Sequence, residues 1–256
     1  MTHRRRKWFI PIVLFLFLPL LLYFILMPDI SRLKKENPQK TAYMKYREKE
    51  SAKKGKRYRV QQIWVPLARV SPFLVKAVLI AEDDKFWQHE GFDYEAMQKA
   101  LEKDIKSGKF RSGGSTVSQQ LARNLYLSPE KNLPRKMAEA MITWRMEKTL
   151  SKRRILEIYL NVIEWGEGIF GAEAASKRYF GKPSSDLTPE EASRLASVLP
   201  NPRKYNPAGD QRYVLNRSNL IYDIMVRRKI VVPEYGEVIE KPELPTENPE
   251  NRIPSF

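Results

Sequence analysis

Residues 112–124 read SGGSTVSQQLARN, and their spacing sets the fold class for the chain around them. Two glycines precede Ser115 and Thr116, residue types that cap helices, so a helix is expected to start there and run to about Leu127. Val117, Leu121 and Leu125 recur at helical spacing and make its core side. Thr116, Gln120 and Arg123 share a second, polar face. Glycines at a helix start let backbone N–H groups approach an anion, and a polar face ending in Arg suits a pyrophosphate. No Gly-Lys-Ser/Thr follows, so this is not a Walker loop. In isolation the same stretch could be an ordinary capped surface helix.

The helical period continues on both sides. Ser71 and Pro72 place an N-cap and a first-turn proline before Phe73, Leu74, Ala77, Val78 and Ala81, a buried stripe. Further helices are expected at 133–149, 152–161 and 189–199, the last stopped by Pro200 and Pro202. Strand-like alternation is scarce, and the expected class is all-α. Residues 28–60 are polar and basic, a juxtamembrane linker or short helix; the globular domain is expected at 61–235. The Pro- and Glu-rich residues 236–256 are expected to be disordered. Ser51-Ala52-Lys53-Lys54 matches S-x-x-K formally but lies in the basic stretch without companion signatures, a chance match.

With 256 residues the chain holds one sizeable domain plus an anchor and tails. Lys and Arg number 46 against 30 Asp and Glu, a formal charge of +16, which favours an anionic partner: nucleic acid, acidic headgroups or a phosphorylated substrate. The absence of Cys excludes disulfides and thiolate metal sites, and two His, His3 and His89, argue against a multi-histidine site. Residues 8–27 form an uncharged apolar run of a length that spans a bilayer as a helix, with Pro11 and Pro19 as kinks. No small-residue cleavage site follows, so an uncleaved anchor is expected. Basic residues flank the run on both sides, Arg4 to Lys7 before it and Arg32, Lys34, Lys35 and Lys40 after it. The short basic tail at 1–7 resembles a start-transfer anchor with the N-terminus in the cytoplasm.

Three features carry chemistry. Glu82 and Asp83 close the first helix in AEDDKFWQHEGFD, residues 81–93. The negative end of the helix dipole and apolar neighbours both raise a glutamate there from its usual value near 4.3, towards a general base. An isolated acidic pair at a helix end is more often a solvated turn. The glycine-led helix is the second feature. In the third, residues 131–139, Arg135 and Glu139 are spaced i, i+4, ordinarily a surface ion pair. The functional alternative is a cationic cluster of Arg123, Lys131, Arg135 and Lys136 enclosing one carboxylate.

The order EDxxFxxHxG (82–91), GGSTxxQQxxRN (113–124), RKxxE (135–139) and KxxILxxYLN (152–161) resembles the family 51 glycosyltransferases. The likeness continues through Gly166, Gly171, Ala174, Ala175 and residues 179–181, ends in LPNP at 199–202, and covers about residues 61–205. With no penicillin-binding domain the chain is similar to the monofunctional peptidoglycan transglycosylases. Glu164-Trp165-Gly166 and the short C-terminus resemble the Gram-negative kind. Lys131 departs from the Arg of many members; it keeps the charge without the bidentate fork.

The resemblance implies a lysozyme-like domain with a smaller mobile jaw, placed at about 92–112. It implies lipid II as substrate, and β-1,4 glycan and undecaprenyl pyrophosphate as products. It makes Glu82 the base on the acceptor 4-hydroxyl and gives Glu139 the second catalytic position. It makes Asp83, Ser115, Thr116, Gln119, Gln120, Arg123, Lys131, Arg135 and Lys136 substrate-binding. For Glu139 two roles stay open: organising the cations, or helping to hold a divalent cation, magnesium or manganese, near the pyrophosphate. No organic cofactor is implied. Expected partners are lipid II and nascent glycan, membrane lipids, and cell-wall synthesis or division proteins, not nucleic acid. A lysozyme-like hydrolase is the rival enzyme, though it has no use for a cationic cluster aimed at pyrophosphate. A basic membrane-tethered binding module is the rival non-enzyme, and it leaves Glu82 and Glu139 idle.

Overall fold

The computed structural model describes residues 27–108, 114–130 and 132–232. All but the last residue of the expected span at 8–27, the expected tail at 236–256, and Ser112, Gly113 and Lys131 lie outside these. Nine α-helices occur among the described residues: α1 (Ala42–Lys53), α2 (Pro72–Glu82), α3 (Tyr94–Ser107), α4 (Val117–Tyr126), α5 (Leu133–Thr149), α6 (Lys152–Val162), α7 (Ala172–Phe180), α8 (Pro189–Val198) and α9 (Arg212–Arg227). None is long and apolar enough to cross a membrane.

The fold is helix-rich, with one addition to the all-α expectation. Three short strands, β1 (Gln61–Gln62), β2 (Glu164–Gly166) and β3 (Ile169–Phe170), form a sheet ordered β1-β3-β2. β1 runs parallel to β3 and β2 antiparallel to it. Strands of two or three residues are too short for alternation to register in sequence.

α6 is the centre of the core. After its basic first turn it is apolar nearly all round, and Ile155, Leu156, Ile158, Tyr159, Leu160 and Val162 are all buried. α4 packs against α6, α5 and α1, while α2 packs against α8 and α9. Asn161 ties the sheet to the helices: its side chain accepts from Val65 N at 2.9 Å and donates to Val65 O at 2.9 Å. Gly171 must remain glycine, because φ is +84° and a Cβ would come 2.7 Å from the Asn161 carbonyl.

Ser71 stands at the N-cap of α2 as expected, but its hydroxyl does not cap the helix; it donates to the Leu187 carbonyl at 3.0 Å. Residues 28–60, expected as a juxtamembrane linker or short helix, contain the helix α1 and pack on the body. Ile30 and Leu33 join the core, Met44 of α1 is fully buried, and α1 lies along α4. The expected jaw is largely α3, capped by Asp93 on Ala96 N at 2.9 Å and ended by left-handed Gly108. α3 exposes Tyr94, Met97, Leu101 and Ile105 and touches the body closely at Gly114, where a Cβ would lie 3.2 Å from Met97 Cα.

Candidate active site

Glu82 closes α2 beside α4, α6 and α9. Gln120 on α4 donates its amide to Glu82 Oε2 at 2.9 Å. The Tyr159 hydroxyl of α6 donates to the amide oxygen of Gln120 at 3.1 Å, which fixes the orientation of that amide. Burial pushes the Glu82 carboxyl above the ordinary range; the Gln120 hydrogen bond and the charges of Arg217 and Arg123 oppose this without cancelling it. Of the two causes expected from sequence, desolvation is the one that dominates.

Asp83 faces the other way. Its carboxylate accepts from Val117 N at 2.8 Å and lies 2.9 Å from His89 Nε2. Gly91 N donates to His89 Nδ1 at 3.1 Å, so the ring proton sits on Nε2 and is shared with Asp83. Thr116 and Gln119 form a reciprocal capping box at the start of α4 and are almost fully buried. The Thr116 hydroxyl also donates to the Gly91 carbonyl at 2.7 Å. The backbone donors at this helix start are therefore directed at Asp83 and at the cap itself. Thr116 and Gln119 thus shape the start of α4, next to the side-chain cations that follow.

Those cations gather one turn further along α4. The Glu139 carboxylate, 0% exposed, is held by Arg135 at 2.6 Å, by Lys136, and by Arg123 at 3.6 Å. Lys136 also donates to Ser115 Oγ at 3.3 Å. Lys136 and Arg123 stay 43% and 32% exposed, whereas Arg135 is mostly covered and its Nε has no partner. One buried carboxylate thus holds three cations together, with two of them facing solvent. This arrangement does not fit a divalent metal at Glu139, since both its oxygens already contact cations. Among the described residues no cluster of three or more His, Asp and Glu could hold a metal ion.

α4 links the two centres, because Gln120 reaches Glu82 and Arg123, one turn on, reaches Glu139. A raised carboxyl stands ready to take a proton, and nearby cations stand ready to meet an anionic leaving group. Group transfer from a phosphorylated donor is the chemistry such a pair can perform.

Two residues near this site escaped the sequence reading. Arg217 of α9 lies 3.9 Å from Glu82 Oε1, and nothing local in its own stretch marks it. Glu147 accepts from Ser118 and pairs with Lys152 at 2.8 Å. It packs where a Cβ on Gly91 would come within 2.9 Å of it, so the His89–Gly91 turn and Glu147 fit one another.

A family model described as transglycosylase matches residues 48–226. A biosynthetic peptidoglycan transglycosylase of Nitrosospira multiformis is 43% identical over 226 residues, 88% of this chain and 98% of the relative. Proteins of the same name from Azoarcus sp. and Aromatoleum aromaticum are 55% and 50% identical, covering 66% and 73% of this chain and 73% and 83% of theirs. The chain belongs to the transglycosylase family of glycosyltransferases.

Proposed function

We propose that this chain polymerises peptidoglycan glycan strands, transferring lipid-linked disaccharide-peptide units of lipid II with release of undecaprenyl pyrophosphate. One observation carries the reading: Gln120 and Arg123, one turn apart on α4, contact Glu82 and Glu139 respectively, which sets a proton acceptor beside a cationic cluster. Glu82 takes the proton of the acceptor 4-hydroxyl. The freed oxygen forms the bond to the donor's anomeric carbon from the opposite face. The carbon–oxygen bond to pyrophosphate breaks, and its electron pair leaves with the pyrophosphate. Inversion from an α-linked donor to a β product needs no sugar–enzyme intermediate.

Arg123 and Lys136 stabilise the charge developing on the leaving group, and Arg135 and Glu139 hold them in place. Lys131, which has no described position, is assigned to the same cluster on sequence grounds. Ser115 joins it through Lys136. No step runs through a metal. The lysozyme-like class, a jaw that moves at α3, and a single membrane anchor at 8–27 complete the proposal. The catalytic domain then stands outside the cytoplasmic membrane, where lipid II is displayed.

Glu82→Gln tests the assignment. Polymerisation of lipid II should fall by roughly 10²- to 10⁴-fold, the usual contribution of a positioned base, with donor binding retained. Near wild-type turnover would refute it. Incubation with purified glycan separates the hydrolase alternative, which predicts shortened chains.

A further inference from the structure

Glu82 has two carboxylate oxygens in different surroundings. Oε2 accepts from Gln120 at 2.9 Å. Oε1 has the Arg217 guanidinium 3.9 Å away, inside ion-pair range and beyond hydrogen-bond reach. Arg217 is kept at that distance by its own anchor, since its Nη2 donates to the Ala81 carbonyl in the last turn of α2 at 3.2 Å. Its Nε is buried without a partner. An arginine in this position is not folded into a closed salt bridge.

The other charged and polar neighbours are committed elsewhere. Asp83, the next residue, is turned to His89 and Val117 N. Arg123, from α4, is engaged by Glu139. Tyr159, from α6, reaches Glu82 only through Gln120. Asp84 is held by a bidentate pair with Arg228 of the segment after α9. Among the described residues no cation other than Arg217 lies within ion-pair distance of Glu82.

A base that must receive a proton has two competing requirements. It has to be ionised when substrate arrives, which burial opposes. It also needs a free lone pair, which a contact salt bridge would occupy. A cation held just outside hydrogen-bond range meets both.

We propose that Arg217 is a positioning residue for the proton-transfer step, anchored on Ala81 so that its charge keeps Glu82 Oε1 ionised while leaving that oxygen open to the acceptor hydroxyl. The inference rests on Glu82 being the base. Arg217 need not touch substrate. It acts through Glu82, and its loss acts on the pH dependence of the rate rather than on the rate at every pH.

The test is the pH–rate profile of the full chain in detergent, on a soluble short-chain lipid II analogue. Arg217→Gln and Arg217→Met should move the acid limb to higher pH by about one unit, the lower end of what an adjacent opposite charge does, and rejoin wild type on the alkaline plateau. Arg217→Lys, which retains charge without the guanidinium fork, should bring the limb back towards wild type. Loss by the same factor at every pH, or an unmoved limb in both neutral variants, would overturn the inference. So would a Lys variant whose limb is displaced as far as that of the Gln variant. Glu82→Gln run alongside separates the two levels: if it is inactive while the Arg217 variants keep the wild-type limb, Arg217 alone is misassigned. If Glu82→Gln turns over normally, the base reading falls and takes this inference with it.

Discussion

Glu82 is a carboxylate stored where water would not put one, and its raised folded value has a thermodynamic consequence. Between the ordinary glutamate value of 4.5 and the folded value above it, the native state binds more protons than the unfolded chain. Stability contributed at this position is therefore present at low pH and falls as pH rises through that window. Glu82→Gln removes the buried charge. The variant should melt above wild type at pH 7, and the difference should vanish towards about pH 4, where both states protonate. Equal melting temperatures across that range would contradict the burial assigned to Glu82. Helical spacing brought Glu82, Gln120, Arg123, Arg135 and Glu139 into view, because spacing reports which residues share a face. It does not report where a polar atom points. The turn of Asp83 towards Val117 N is set by a long-range contact that only the folded chain supplies; the closure of Thr116 and Gln119 on each other is local, a T-x-x-Q capping box.

Among the elements, α1 shows how much of the body begins before the motifs. Its Arg47 donates to Glu164 of β2 through Nε at 3.1 Å and Nη2 at 2.8 Å, and to Glu50 at 2.9 Å. Burial holds the Glu164 carboxyl above the ordinary range even with Arg47 beside it. Arg47→Met leaves that carboxylate buried without its cation, which should cost about 3 kcal/mol of stability in chemical denaturation. Adding Glu164→Gln should return much of the loss; a single variant as stable as wild type would show that α1 is not pinned there. This helix was readable only as a short helix or linker, since charges surround it and just Met44 and Ser51 are buried. Elements that open on a capping side chain fared better, with Asn132, Ser151 and Thr188 at the starts of α5, α6 and α8. α5 has the expected bounds of 133–149, and α6 and α8 differ from expectation by one residue each. α9, which carries Arg217, was not separated from its surroundings, and the two- and three-residue strands offer no period at all.

At the scale of the whole molecule the charge of +16 has a division of labour. Part of it is gathered at Glu139, where the proposed function puts the leaving group, and much of the rest flanks the expected anchor on both sides, so charge counting alone leaves orientation nearly tied. The proposed function breaks the tie: if lipid II is polymerised where the wall grows, Glu82 stands on the outer side and the residues before the expected span in the cytoplasm. A protein without Cys makes this directly measurable, because any thiol introduced is the only one present. Thr2→Cys and Glu247→Cys, each as a single substitution in the full chain, bracket the expected crossing. A membrane-impermeant maleimide admitted to the periplasm of intact spheroplasts should label position 247 and leave position 2 unlabelled until the membrane is permeabilised. Labelling of position 2 alone would put the active site on the cytoplasmic face, out of reach of displayed lipid II. Labelling of both would remove the crossing at 8–27, and with it the two-dimensional encounter of an anchored enzyme with a lipid-tethered substrate.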